Sequence, residues 1–208
     1  IIILIFLKRG SKEMARIQNN STLLIIFIIF LLSFSSGCTT LVGAGATIGV
    51  AAVQERGIKK RAEDLKIEAL VLEQFIKAGL ELTATIGAEV YEGRVLLTGA
   101  SKNTKITDQA VKLAWTINGV KEVINEIQVG RSSTISNFAQ DTWITAQIKS
   151  NMTFDPGIYS INYTVETVNG TVYLIGIAQN KSEHDRAKQH AAKAKFVRNV
   201  ISHVRIKK

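Results

Sequence analysis

The sequence predicts an α+β protein made of two copies of one small domain, each with the element order α-β-β-α-β. The first observation is an internal repeat, in which Val90–Ala114 align without a gap with Thr167–Ala191, 77 residues later. The second is that apolar residues recur in each copy, first with a helical period and then by alternation. The third is a turn signal between two alternating runs. Two helices can therefore cover one face of a three-stranded mixed sheet in each copy.

The first helix of each copy is predicted to begin at an acid, Asp64 or Asp141, because a helix N-terminus favours negative charge. Apolar residues then recur every fourth position. In the first copy these are Ile67, Val71 and Phe75, and in the second Ile144, Ile148 and Met152.

The first strand is expected over the alternating runs that begin at Leu82 and at Tyr159. The hairpin turns are Glu92-Gly93 and Asn169-Gly170, and the second is the stronger signal because both of its residues tolerate positive φ. The return strands carry Val95 and Leu97, or Val172 and Leu174, and end at Gly99 or Gly176.

The second helix and the last strand follow by the same logic. The apolar helix positions are Ile106, Ala110, Leu113, Ala114 and Ile117 in the first copy, and Ala187, Ala191 and Ala194 in the second. The last strands alternate from Val123 to Val129 and from Val200 to Ile206, reached by a crossover. The predicted domains are 63–130 and 140–208, with a polar linker at 131–139.

Charge is unevenly distributed along the 208 residues, which carry a net charge of +9. Residues 63–130 have seven basic and ten acidic side chains, whereas residues 131–208 have eleven basic and five acidic ones. The second domain therefore carries a basic surface. A single Cys and three scattered His exclude a disulfide framework and give no recognisable zinc-ligand spacing.

The N-terminal region reads as an export signal. Leu23–Leu32 is an uncharged apolar run, too short to span a bilayer unaided but suited to a signal-peptide core. It leads to Gly37-Cys38, which resembles a bacterial lipobox with Ser35 where Leu is usual. Residues 1–37 are interpreted as a signal peptide with an upstream extension, and residues 38–62 as a lipidated Cys38 and a flexible tether. The alternatives are a plain signal peptide with an incidental Cys, or an uncleaved anchor.

Each copy resembles the BON domain, named for bacterial OsmY and nodulation proteins. The first copy shows its motifs as Gly93-x-Val95-x-Leu97-x-Gly99 and Gly119-Val120-x-x-Val123-x-Asn125, while the second has Phe196 for Gly119 and Ser202 for Asn125. With Gly37-Cys38 and the DTWIT stretch from Asp141, the chain resembles the dual-BON-domain outer-membrane lipoproteins of Gram-negative bacteria.

That resemblance implies a lipid-anchored protein at the outer membrane, facing the periplasm, that supports envelope integrity. It implies binding of anionic phospholipid through the first helix of the second domain, including Trp143. It further implies association with division sites and with the outer-membrane β-barrel assembly machinery. The alternative function is a non-enzymatic adaptor that binds envelope proteins.

The repeat also separates Trp143 from its neighbour Ile144. Ile144 matches Ile67 in the core stripe, whereas Trp143 replaces Lys66, so the fold does not require an apolar side chain there. An exposed Trp suits a membrane headgroup boundary, and this interpretation is favoured over the alternative that Trp143 packs on the linker or the first domain. The predicted phospholipid-binding residues are Trp143, Gln147, Lys149, Ser150 and Phe154.

Catalysis and nucleic-acid binding have little support in the sequence. No nucleophile-base pattern is visible, and Asp108 and Asp185 fall near the starts of predicted helices, where an acid is ordinary. The expectation is a non-enzymatic protein without metal or cofactor, and without nucleic acid as a partner, because no recognisable nucleic-acid module accompanies the basic half.

Overall fold

The computed structural model describes residues 56–131 and 134–208, which contain two similar domains. The first domain consists of α1 (Gly57–Ala78), α2 (Leu80–Thr85), β1 (Ile86–Tyr91), β2 (Arg94–Ser101), α3 (Thr104–Trp115) and β3 (Glu122–Val129). The second consists of α4 (Ile135–Thr153), a 3-10 turn (Ser160–Asn162), β4 (Tyr163–Val168), β5 (Thr171–Ala178), α5 (Lys181–Lys193) and β6 (Asn199–Ile206). The signal peptide, Cys38 and most of the tether predicted from the sequence lie outside the described residues.

Each domain has the predicted three-stranded mixed sheet. The middle strand, β2 or β5, pairs antiparallel with the strand before it and parallel with the strand after the crossover helix. One face of each sheet packs against the two long helices of its own domain. The first core contains Val71, Phe75 and Leu97, and the second contains Ile144, Met152 and Leu174, all of them at most 1% exposed. The α+β fold class predicted from the repeat is confirmed.

The first helices begin earlier than predicted, at Gly57 and Ile135. The prediction that Asp64 and Asp141 stand at helix N-termini is therefore wrong, and the helices extend into the predicted tether and linker. Both acids are buried within their helices. Asp141 accepts hydrogen bonds from the backbone N–H groups of Asn169 (2.6 Å) and Gly170 (2.8 Å), and Asp64 does the same for the Glu92-Gly93 turn.

These acids satisfy the hairpin turns rather than the helix ends. Glu92 and Asn169 hold positive φ values of 54° and 49°, as the first residue of a tight hairpin turn does, and the turn N–H groups donate to the helix carboxylates. The Asp64 carboxylate also pairs with the buried guanidinium of Arg56 at 2.7 Å. A buried carboxylate is tolerated because several donors compensate its charge.

The first strands begin later than the alternation predicts, at Ile86 and Tyr163. Leu80–Thr85 forms a short helix whose backbone bonds are local, as shown by Thr83 N–H donating to the Gly79 carbonyl. A short alternating run cannot by itself distinguish a strand from a helical turn in which one side chain, here Leu82, is buried. The prediction that the return strands end at Gly99 and Gly176 is wrong, because β2 and β5 continue two residues beyond these glycines. A Cβ on Gly99 or Gly176 would clash with the carbonyl oxygen of Thr85 or Asn162.

The faces of the two sheets that their helices leave uncovered pack against each other. A third apolar cluster joins the domains and consists of Tyr91, Leu96, Ile124, Tyr173 and Ile175, with Val168, Ile177 and Ile201 at its edge. Leu96 and Tyr173, like Ile124 and Ile201, are repeat mates. Corresponding positions of the two domains therefore meet in this cluster.

Polar contacts surround this cluster. The His203 ring meets the Glu126 carboxylate at 2.8 Å, and these two residues are also repeat mates. Arg94 donates to the His203 carbonyl oxygen at 2.8 Å, and the Gln128 amide donates to the Val168 carbonyl oxygen at 2.9 Å. The chain from Arg56 onward therefore carries a specific contact between its two domains.

Candidate functional site

The helix α4 presents Trp143 on its outer side. Ile144, the next residue, is fully buried in the second core, whereas 46% of the Trp143 surface is exposed. Successive helical residues are about 100° apart, which accounts for the different surroundings of the two side chains. The separation predicted from the repeat is therefore present in the structure.

Trp143 has an aromatic neighbour that sequence reasoning did not select. The ring of Phe196 lies 5.8 Å from that of Trp143, edge to face with an interplanar angle of 60°. Phe196 is half exposed, and the Lys195 ammonium lies 4.9 Å from the centre of its ring. The backbone N–H of Lys195 donates to Gln147 Oε1 at 3.1 Å, which ties this corner to α4. The available signal was the replacement of Gly119 by an aromatic residue in the second repeat.

The other predicted lipid-binding residues divide between two sides of α4. Ser150 and Phe154 follow Trp143 by seven and eleven residues and share its side of the helix, and Phe154 is 84% exposed. Lys149 lies about 120° away from Trp143 around the helix axis. Its charge acts on Glu89 and Glu166, where it opposes the upward shift of both carboxyl pKa values. The structure thus does not bring Lys149 to the Trp143 side.

A shallow basin of about 550 Å³ lies between α4 and α5, next to Phe154. Its basic side chains are Arg186, His190 and Lys193. The Asp155 carboxylate accepts from Arg186 at 2.6 Å, contacts the His190 ring at 2.7 Å and accepts from the Gly157 N–H at 2.8 Å. These hydrogen bonds, from Arg186 first, hold the pKa of Asp155 well below its usual range. The segment after Phe154 is fixed in place by this ionised carboxylate.

The first domain has an open cleft at the position that corresponds to the aromatic pair. The cleft has a volume of about 340 Å³ and is bordered by Lys66 and Gly119, the repeat mates of Trp143 and Phe196. Lys60 and Lys121 also line it. The aromatic surface is therefore a property of the second domain and not of the shared fold.

The described residues offer little for other chemistry. Within residues 56–131 and 134–208, no group of three or more His, Cys, Asp or Glu side chains is placed to hold a metal ion. No helix in the same part of the chain is both long and apolar enough to cross a bilayer. The lipidation of Cys38 remains a prediction, because that residue lies outside the described part.

Comparison with known proteins places these domains in a family. The BON domain matches residues 63–131 and again residues 140–208. A protein of Anaplasma centrale, named only as an uncharacterised protein in the gshII 5′ region, is 43% identical over 60% of this chain and 83% of its own length.

Two other relatives have descriptive names. The outer membrane lipoprotein DolP of Haemophilus influenzae is 32% identical, with coverage of 81% of this chain and 88% of its own length. A 21 kDa hemolysin of Actinobacillus pleuropneumoniae is 30% identical over 70% of this chain and 78% of its own length. Both domain matches and the similarity along most of the chain agree with the repeat and the two sheets, and the chain belongs to the BON-domain family.

Proposed function

We propose that this chain is an envelope lipoprotein whose second BON domain binds anionic phospholipid through the outer side of α4. The observation that carries the proposal is the exposed Trp143, paired with a half-exposed Phe196, on a helix whose repeat mate has a lysine instead. Aromatic rings with a polar edge favour the boundary between lipid headgroups and acyl chains. The similarity to an outer membrane lipoprotein supports attachment at Cys38 and a periplasm-facing position.

The charge near the aromatic pair fits an anionic surface. Lys195 stands beside Phe196, and Lys193 borders the adjacent basin together with Phe154. A Lys or Arg close to an anionic bilayer contributes about 1 kcal/mol of attraction. Binding is therefore expected to require both the apolar contact of the rings and the negative charge of the lipid.

The test is a vesicle titration of a soluble fragment, Gly45–Lys208, followed by Trp fluorescence. A Trp115→Phe background removes the second fluorophore, which is 53% exposed in the first domain. Vesicles with phosphatidylglycerol should shift Trp143 emission to shorter wavelength, whereas neutral phosphatidylcholine vesicles should not. Trp143→Glu should weaken binding, measured by vesicle sedimentation, by roughly ten-fold or more, since about 1.4 kcal/mol corresponds to a factor of ten in Kd.

The competing function is an adaptor that binds an envelope protein, such as a part of the β-barrel assembly machinery. Trp and Arg are enriched at the centres of protein interfaces, so the same aromatic pair would also suit a protein partner. Failure of the fragment to bind anionic vesicles, or equal binding by Trp143→Glu, would remove the lipid proposal and favour the adaptor. Lys66→Glu, at the repeat-mate position in the first domain, is the matched control. It should change the Kd for anionic vesicles by no more than about two-fold, which corresponds to about 0.4 kcal/mol.

A further inference from the structure

The corner before the last strand has the same backbone in both domains. In the first, Gly119 has φ 99° and the Lys121 N–H donates to the Gly93 carbonyl oxygen at 2.8 Å. In the second, Phe196 has φ 71° and the Arg198 N–H donates to the Gly170 carbonyl oxygen, also at 2.8 Å. Both repeats therefore require a left-handed residue here, and only the first uses glycine for it.

Phe196 is unfavourable at this position. A left-handed conformation is easily adopted by glycine but is strained for a bulky side chain with a Cβ. The core does not compensate for the strain, because the ring is half exposed and the neighbouring core positions are occupied by Ala194 and Val197. Strained residues that the fold does not need are typical of functional sites.

The left-handed conformation of Phe196 directs its ring to the outer side of α4. There the ring meets Trp143 at 5.8 Å, and the Lys195 ammonium lies over it at 4.9 Å. The hydrogen bond from the Lys195 N–H to Gln147 fixes the corner against the helix. Two aromatic rings and one cation thus form a single surface from two elements that are 53 residues apart in sequence.

We infer that Phe196 is a lipid-contacting residue that enters the bilayer surface together with Trp143. This inference rests on the proposed function and adds a second insertion point outside α4. A bilayer is the occupant that the chemistry favours, because Lys195 lies over the Phe196 ring and Lys193 borders the adjacent basin with Phe154. This surface would meet both acyl chains and anionic headgroups. Phe196 then contributes apolar area that a glycine at the same corner would not.

The first experiment compares Phe196→Gly with the parent fragment Gly45–Lys208. The glycine relieves the backbone strain, so the variant should unfold at the same or a higher temperature than the parent. Its apparent Kd for phosphatidylglycerol vesicles should nevertheless rise roughly five-fold, a factor equivalent to about 1 kcal/mol. Phe138→Ala is the matched control: Phe138 is 69% exposed and lies on another side of α4, so binding should not change.

A second variant reports the position of the ring directly. Phe196→Trp, in a background of Trp143→Phe and Trp115→Phe, places the only tryptophan at the corner, and its emission should be quenched by brominated acyl chains in the vesicles. No quenching in a variant that still sediments with the vesicles, or unchanged binding by Phe196→Gly while Trp143→Glu loses binding, would overturn this inference and leave the proposed function intact. If neither substitution affects binding, both fail. A marked fall in the unfolding temperature of Phe196→Gly would contradict the strain on which the inference depends.

Discussion

Asp141 is a single buried side chain that holds a helix against a hairpin. Its two carboxylate oxygens accept the N–H groups of Asn169 and Gly170, and no part of the lipid-binding proposal involves it. Asp141→Asn keeps the shape but turns an amide N–H toward one of these donors. We expect a loss of about 1–3 kcal/mol in the free energy of unfolding, the range for a hydrogen bond to a charged group or an unsatisfied buried donor.

Urea denaturation of the soluble fragment measures this loss. Asp185→Asn is the control, because Asp185 is exposed and its pair with Lys181 is an i,i+4 surface ion pair, which contributes little to stability. Equal stability of the two variants would mean that the Asp141 carboxylate does not support the turn.

The difference between Trp143 and Phe196 shows what the repeat reveals about single residues. Aligning the two copies predicted that Trp143 is exposed, because a lysine takes its place in the first copy. The same alignment gives Phe196 for Gly119. Where the Phe196 ring lies depends on the positive φ of this residue, however, and the identity of the residue as phenylalanine does not predict a positive φ. Contacts between α4 and the corner before β6 are long-range and appear only once the chain is folded.

Two adjacent residues of α1 lie on different sides of the helix, one in the core and one at the surface. Phe75 is fully buried among Val71, Leu82 and other core residues, whereas Ile76 is 66% exposed. Phe75→Ala should cost about 3–5 kcal/mol of unfolding free energy, because it removes the transferred apolar area and leaves a cavity. Thermal and urea unfolding of the fragment would measure the effect.

Ile76→Ala is the internal control for this prediction. It removes a similar aliphatic group from the same helix but from the solvent side, so the change should stay within about 0.5 kcal/mol. A large loss for Ile76→Ala would instead indicate that a partner covers this side of α1 in solution.

Element types were predictable from the sequence more reliably than element ends. Alternation and helical spacing identified both hairpins, both crossovers and the mixed sheets, because each pattern follows directly from which face is buried. The starts of α1 and α4 were misplaced since Asp64 and Asp141 imitate helix-terminal acids while serving the turns. The turn N–H group that each Asp accepts from lies 28 residues later in the chain, so a pattern of neighbouring residues does not reveal it.

The packing of one domain on the other has a partial sequence signature. The strand β5 reads TVYLIGIA, and apolar residues on both faces indicate a strand buried on both sides. Tyr173 and Ile175 do lie in the interdomain cluster, while Val172 and Leu174 face the second core. The sequence does not show what covers the face with Tyr173 and Ile175, because either the first domain or another copy of the chain could bury these side chains.

Three carboxyl groups near the interdomain contact make stability depend on pH. Glu89 and Glu166 are repeat mates on β1 and β4, and Glu68 on α1 acts on both. Burial first, then the charges of Glu166 and Glu68, raises the pKa of Glu89 to about 8, while Lys149 and Arg61 oppose the shift. The folded state thus binds a proton that the unfolded chain releases above its ordinary value of 4.5.

It follows that stability should fall as pH rises from about 5 to about 8 and then level off, because the folded pKa lies above the unfolded one. The slope per bound proton cannot exceed about 1.4 kcal/mol per pH unit. Glu89→Gln should flatten this dependence and make the fragment more stable than its parent at pH 8.5. Glu73→Gln, at an exposed site paired with Lys77, should leave the profile unchanged. Urea midpoints measured between pH 5 and 9 test this prediction. If the stability of the parent fragment instead rises with pH across this range, the Glu89 carboxyl is ionised in the folded protein and its charge is compensated.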